Sequence, residues 1–257
     1  MIILAFFILH WYLSLFTQTF FLHRYSAHKM FTMNKFWERI FYYATYIFQG
    51  SSYLTPRAYA ILHRLHHAYS DTEKDPHSPH NHDNIFSMMW ETRNIYNNIV
   101  DYKLISEERF TRDIPEIKWI DNLGESRWSR VGWGFLYLGF YLVFATHWWM
   151  FLLVPIHITM GGVHGAIVNW FGHKMGYANF NNNDKSKNTL LVDILMLGEL
   201  FQNNHHKNYK RANFGAKWFE FDPVYPFIKI FEKLKIIKMN LKGYQITSAA
   251  VASPVAG

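Results

Sequence analysis

Apolar runs of membrane-like length alternate with histidine-bearing polar stretches along this chain, and the alternation predicts its elements. Residues 1–22 (MIILAFFILHWYLSLFTQTFFL) contain no Asp, Glu, Lys or Arg, and about 20 such residues let a helix cross the hydrocarbon core. A cleaved signal peptide would show a basic leading segment and a small-residue cleavage site, and neither is present. From Val131 to Gly172 the chain again carries no charge, with Pro155 inside the run. That length predicts a helical hairpin, with spans at about 132–153 and 156–172 and a tight turn near Leu153 to Ile156. Residues 36–48 (FWERIFYYATYIF) are apolar but too short to span, carry Glu38 and Arg39, and run into the turn-like QGSSYLTP. The stretch 36–54 is therefore expected to be interfacial or re-entrant.

Two polar lobes surround these runs. The first, from about Ala68 to Ser129, contains SDTEKDPHSPHNHD and an amphipathic stretch, IFSMMWETRNIYNNIV. The second, from Gly176 onward, contains NFNNND and the segment PFIKIFEKLKIIKM with apolar residues at helical spacing, expected on the cap or on the membrane surface. Residues 247–257 are small-residue low complexity, so one domain is read over 1–246. Basic residues follow the first span (Arg24, Lys29, Lys35, Arg39), precede the hairpin (Arg127, Arg130) and follow it (Lys174, Lys185, Lys187). By the positive-inside rule, these flanks lie on the cytoplasmic side. The expected fold is an all-α integral membrane protein, a helical transmembrane bundle with a cytoplasmic cap.

Composition narrows the chemistry. With no cysteine among 257 residues, disulfides, iron–sulfur clusters and thiolate zinc sites are excluded. Any metal must use nitrogen and oxygen ligands. The formal charge of +7 is spread between apolar runs and accompanies no nucleic-acid motif, so it fits anionic headgroups or an acidic substrate head rather than nucleic acid. The fifteen histidines are not spread evenly. They gather in HRYSAH (His23, His28), HRLHH (His63, His66, His67) and QNNHH (His205, His206, led by Gln202). A lone histidine beside an apolar run is more often a satisfied core residue, but three such clusters point to a metal site. Residues three and four apart share a helix face, so His63, His66 and His67 are expected to aim at one point. Gln202, His205 and His206 repeat the spacing. His23 and His28 lie five apart, roughly 140° around an ideal helix, and should diverge toward different metals or straddle a helix end.

In these motifs the chain resembles the membrane-bound fatty acid desaturases, most closely the acyl-CoA (stearoyl-CoA, Δ9-type) branch. The family's first cluster is HxxxxH, its second is HxxHH with Asp-Pro-His close behind (Asp75, Pro76, His77 here), and its third is HxxHH after Gly-Glu. All appear in order. Asn169 and His173 match a further asparagine and histidine of the family, just beyond its last span. The resemblance implies two non-haem irons held by His23, His28, His63, His66, His67, His173, His205 and His206. Asn169, Gln202 and Glu199 would touch that set indirectly or through water. Gln202 departs from the family, which usually has histidine there, although front-end desaturases carry glutamine. The family also usually shows four spans, and this chain begins where the second would start.

What the resemblance implies is insertion of a cis double bond into an acyl chain, acyl-CoA favoured, with dioxygen as co-substrate. No flavin, haem or Rossmann motif is visible, so electrons would come from an external donor such as ferredoxin or a b-type cytochrome. Neutral imidazole suits iron, and a shell without thiolate leaves room for dioxygen. Zinc is the competing metal, but a hydrolytic zinc site usually needs only three protein ligands, and eight histidines exceed that. An acyl hydroxylase on the same scaffold is one alternative. A histidine-lined metal transporter is another, disfavoured because the clusters lie just outside the spans. His10, His147, His157 and His164 are expected to pair between helices rather than line a substrate channel, and His80 and His82 to be solvated loop residues.

Overall fold

The computed structural model describes residues 1–104 and 107–240. Helix α1 (Ile2–Thr17) passes without a break into a π-helical segment, Gln18–Ala27. Together they form the described helix that is long and apolar enough to cross a membrane. After a short strand, β1 (Phe31–Met33), helix α2 (Lys35–Gln49) starts where the Asn34 side chain accepts from the backbone N–H of Trp37. Helix α3 (Pro56–Tyr69) starts where Thr55 accepts from Ala58 N–H, with Pro56 in the first turn, where its missing N–H costs nothing. The chain leaves the first histidine cluster at His28 and returns to it at His63, whose Nε2 atoms lie 2.7 Å apart. Helices α2 and α3 thus form a hairpin with both open ends at the histidines.

Helix α4 (Ile85–Val100), the short α5 (Glu108–Thr111) and α6 (Lys118–Glu125) build the first polar lobe. Helix α7 (Arg127–Phe144) then runs back along the bundle, followed by a tight helical stretch over Trp148–Leu153, α8 (Val154–Ile158) and α9 (Met160–Lys174). The reversal lies at residues 145–147, which corrects the expected turn near Leu153 to Ile156. Pro155 does not break the chain because it occupies the first turn of α8. The break comes later, at Thr159, where the two halves bend by 75°.

That bend meets the tip of the α2–α3 hairpin. Ser51 Oγ donates to the Ile158 carbonyl at 2.9 Å, and Gly161 N–H donates to Ser52 Oγ at 2.9 Å. Two interruptions of helical backbone therefore satisfy one another, which an apolar bundle interior requires. Gly50 is needed at the tip: its φ is +52°, and a Cβ there would stand 1.9 Å from the Tyr137 hydroxyl oxygen. Deeper in the bundle, His10 Nδ1 meets His157 Nδ1 at 2.6 Å, and the Tyr141 hydroxyl lies 2.9 Å from His157 Nε2. His10 and His157 thus pair across helices as expected of polar groups in such a setting, whereas both ring nitrogens of His164 are buried without a hydrogen-bond partner and His147 is exposed beside Thr146.

Helix α10 (Gln202–Lys207) carries the third cluster, and α11 (Tyr225–Lys233) closes the cap. Phe227 packs on Phe16, and Phe231 on Phe20 and Phe41. The helical stripe read over PFIKIFEKLKIIKM is only half helix. Lys235 turns left-handed at φ +57°, and β2 (Ile237–Met239) pairs antiparallel with β1. Apart from this two-stranded sheet and isolated bridges, the described residues form helices and loops. The tail at 247–257 lies outside the described residues.

Gly50→Ala should lower stability by more than about 2 kcal/mol, since it adds left-handed strain to a steric overlap. Gly139→Ala in α7, where a new Cβ meets nothing within 4 Å, should be neutral or stabilising. Thermal unfolding in detergent compares the two; equal midpoints would contradict the account of the tip.

Candidate metal centre

Five imidazoles converge at the open end of the α2–α3 hairpin. His23 and His28 come from the π-helical segment and its end, His63 and His67 from α3, and His205 from α10. Their Nε2 atoms face each other: His28 to His63 at 2.7 Å, His23 to His205 and His63 to His67 at 3.0 Å, and His67 to His205 at 3.1 Å. His23 and His28 serve one pocket rather than two because the segment between them is wound as a π-helix, in which residues five apart lie about one turn apart. His28 N–H indeed bonds to the His23 carbonyl at 3.1 Å.

A second group forms beside the first from His66, His173 on α9, and His206. Their ring centroids lie 4.9–5.0 Å apart. The HxxHH clusters therefore do not aim at a single point, which corrects the expectation for α3. His63 and His67, four apart, share a face, whereas His66 points about 100° away from His67 and enters the second pocket. The same divergence splits His205 from His206. The eight predicted histidines are all brought together, divided five and three.

The donor set fits metal ions. Burial followed by the neighbouring imidazoles pushes His28, His63, His67 and His205 well below the ordinary histidine range, which favours neutral rings with lone pairs to offer. Such a set of inward-facing nitrogen donors could hold a metal cation. Two metal–imidazole bonds of about 2.1 Å at right angles would set their nitrogens about 3.0 Å apart, which matches the spacing found. In the second pocket, His173 Nε2 and His206 Nε2 are buried without a hydrogen-bond partner, and burial lowers His206 to about 4.

Carboxylates stand behind these rings. Glu199 accepts from His23 Nδ1 at 2.8 Å and also pairs with Arg24 at 3.3 Å, so its expected contact with an imidazole is made to His23. Arg24, fully buried, reaches on to Asp222 at 2.8 Å and stacks on Phe214. Asp75 takes His66 Nδ1, Asp71 takes His173 Nδ1, and Asp184 takes His206 Nδ1. Burial alone would raise these three carboxyls, but the histidines bonded to them hold each well below the usual range. Asp75 in return raises His66 against the effect of its burial. Sequence reading passed over Asp71, Asp184, Arg24 and Asp222. The visible signal was the pair of acidic loops that follow or precede the clusters, SDTEKD and NNND.

Gln202 packs against Gly172, next to His173, and its Nε2 donates to the Glu199 carbonyl at 2.7 Å. Asn169 lies one turn before His173 on α9, half-buried. His77 is buried, stacks on His66 at 4.3 Å and leaves both ring nitrogens without a partner. His80 is not simply solvated: its Nε2 sits 3.1 Å from the His173 carbonyl.

The four strongly lowered histidines make a pH dependence. Their folded-state values lie below the unfolded value of about 6.5, so the unfolded chain binds more protons as pH falls, and stability present above that value is lost below it. The metal-free chain should show a lower thermal midpoint at pH 5 than at pH 7, with His66 opposing in part. A midpoint that holds or rises toward pH 5 would refute this.

A family model for fatty acid desaturases matches residues 1–229. The Delta-9 desaturase-like 5 protein of Arabidopsis thaliana is 29% identical over 234 residues, covering 84% of this chain and 69% of that protein. The sn-1 stearoyl-lipid 9-desaturase of Synechocystis sp. is 30% identical over 233 residues, 84% and 64% respectively. An acyl-CoA 5-desaturase of Anemone leveillei is 28% identical over 219 residues, 82% and 63%. The match spans about two thirds of the length of these relatives. Histidine clusters of the expected form, gathered at one place in a chain that the family model matches almost throughout its described length, make this protein a member of the fatty acid desaturase family.

Proposed function

We propose that the chain inserts a cis double bond into a saturated acyl chain at a centre of two non-haem irons, with acyl-CoA as the favoured substrate and Δ9 as the favoured position. The overall change removes two hydrogens from adjacent methylenes. With dioxygen, two electrons from an external donor and two protons, it yields the alkene and two waters. The observation that carries this reading is the convergence of eight imidazoles, five and three, with no thiolate and no carboxylate ligand in the larger pocket. Bound iron would supply the oxidant that an unactivated C–H bond needs.

The chain's own residues do the rest. His23, His28, His63, His67 and His205 would hold one iron, and His66, His173 and His206 the other. Asp71, Asp75, Asp184 and Glu199 keep the proton of each bonded ring on Nδ1, so that Nε2 presents its lone pair. Asn169, one turn before His173, and Gln202, packed beside Gly172, would touch the second metal only indirectly or through water. An apolar groove of about 340 Å³, open to the surface and lined by Leu9, Leu13, Phe48, Trp133 and Phe140 among others, lies back along α1 from His23. Its size suits a small apolar ligand, and we assign it to the distal part of the acyl chain.

The bundle would sit in the membrane with the metal centre and cap on the cytoplasmic side, as the basic flanks indicate. Because the chain has no cysteine, Lys35→Cys and Lys74→Cys each introduce a single thiol on the exposed surface of the cap. Both should react with an impermeant thiol reagent from the cytoplasmic face alone. Labelling from opposite faces would overturn the arrangement.

Expression in a host without its own desaturase, followed by mass spectrometry of the acyl products, tests the reaction; a hydroxylated product would indicate the oxygenase chemistry instead. Supplying the acyl group on CoA or on lipid distinguishes the carrier. His206→Ala should abolish product and lower iron content. Gln202→Ala should reduce rate while keeping both irons, and Gln202→His should tighten iron binding. If Gln202→Ala loses iron as fully as His206→Ala does, the glutamine is itself a metal ligand.

A further inference from the structure

The two pockets differ in what stands behind their ligands. In the five-histidine pocket, His23 has a carboxylate partner, Glu199, whose charge is shared with the buried Arg24 guanidinium. His28 Nδ1 and His205 Nδ1 have no hydrogen-bond partner. In the three-histidine pocket every imidazole is backed by its own aspartate: His66 by Asp75 at 2.9 Å, His173 by Asp71 at 2.9 Å and His206 by Asp184 at 2.8 Å.

The aspartates are themselves held. Asp71 also accepts from Ser78 Oγ and from Lys185 N–H, both at 2.7 Å. Asp75 accepts from Asp71 N–H at 2.8 Å and His77 N–H at 3.0 Å. Asp184 accepts from Ser186 N–H at 2.9 Å and from the Ser186 hydroxyl. Asp71 does this from a left-handed backbone, φ +59°, a conformation that persists only where its surroundings over-determine it. One chain of contacts through Asp71 and Asp75 therefore ties the loop after α3 to α9 and to the loop before α10.

We infer that Asp71, Asp75 and Asp184 are the positioning residues that let the smaller pocket hold its metal with three imidazoles, where Gln202 supplies no fourth. A carboxylate behind an imidazole fixes its tautomer and raises its basicity, so three of them strengthen three ligands at once. The larger pocket relies on ligand number instead, with little net charge behind it. The two metals are consequently inequivalent, and the smaller site depends on carboxylate charge. This rests on the reading of the histidines as a two-metal centre.

The test is iron titration and Mössbauer spectroscopy of the full chain in detergent, loaded with the Mössbauer-active iron isotope. Asp71→Asn, Asp75→Asn and Asp184→Asn keep an acceptor oxygen but remove the charge. Each should weaken one of the two irons by roughly 10- to 100-fold, with selective loss of one spectral component. Glu73→Gln, which removes an exposed charge from the same loop but backs no imidazole, should keep both. Thermal midpoints of the iron-free variants, matched to that of the iron-free parent, separate lost charge from lost fold. Asp184→Asn, in a loop, provides the reading if the other two fail to fold. A parent with two irons whose Asp184→Asn variant also binds two with unchanged affinity and spectrum overturns the inference alone, as does simultaneous loss of both. A parent that binds a single iron overturns the two-metal reading and the inference with it.

Discussion

Buried imidazole nitrogens turned toward one another are the constraint on which this structure depends. Five Nε2 atoms within about 3 Å of their neighbours form an arrangement that lone-pair repulsion and desolvation both oppose unless a cation lies among them. Holding them there requires rigid supports from three separated parts of the chain. The π-helical winding of residues 18–27 brings His23 and His28 to one side, α3 presents His63 and His67 one turn apart, and α10 delivers His205. Each support ends or bends at the site, so the irregular backbone lies where the function is.

The costs of those irregularities are met locally. The tip of the α2–α3 hairpin and the bend at Thr159 exchange hydrogen bonds through Ser51 and Ser52, so neither leaves unpaired backbone groups in an apolar interior. Arg24 plays the corresponding part beneath the larger pocket. Fully buried, it is neutralised by Glu199 and Asp222 and covered by Phe214, and so joins the segment after α10 to the first histidine cluster. A buried guanidinium stripped of one partner would be destabilising by several kcal/mol, which makes this link a condition of the fold as well as of His23's orientation.

The smaller pocket is built on another principle. It has fewer imidazoles but more charge behind them, carried by loops rather than by helices. Helices set the direction of each ring through their periodicity, while the loops around Asp71 and Asp184 place a carboxylate at its Nδ1.

By itself, the sequence determined which histidines were candidates for one site and much of the helical framework. Charge-free runs, caps at Asn34, Thr55 and Asn84, and the spacing of HRYSAH, HRLHH and QNNHH are local properties, set by burial and helical periodicity over a few turns. The division of eight histidines into five and three was not legible, because it depends on a π-helix and on which face of α3 meets α10. The hairpin reversal at 145–147 was misplaced because Pro155 reads as a breaker in isolation but is acceptable in a first helical turn. The strand at Ile237–Met239 arose from pairing with Phe31–Met33, some two hundred residues away. Asp71, Asp184, Arg24 and Asp222 became functional candidates only through partners 22 to 198 residues away in the chain. Such contacts leave no periodic signal, since tertiary structure alone decides which polar group lies behind which ring.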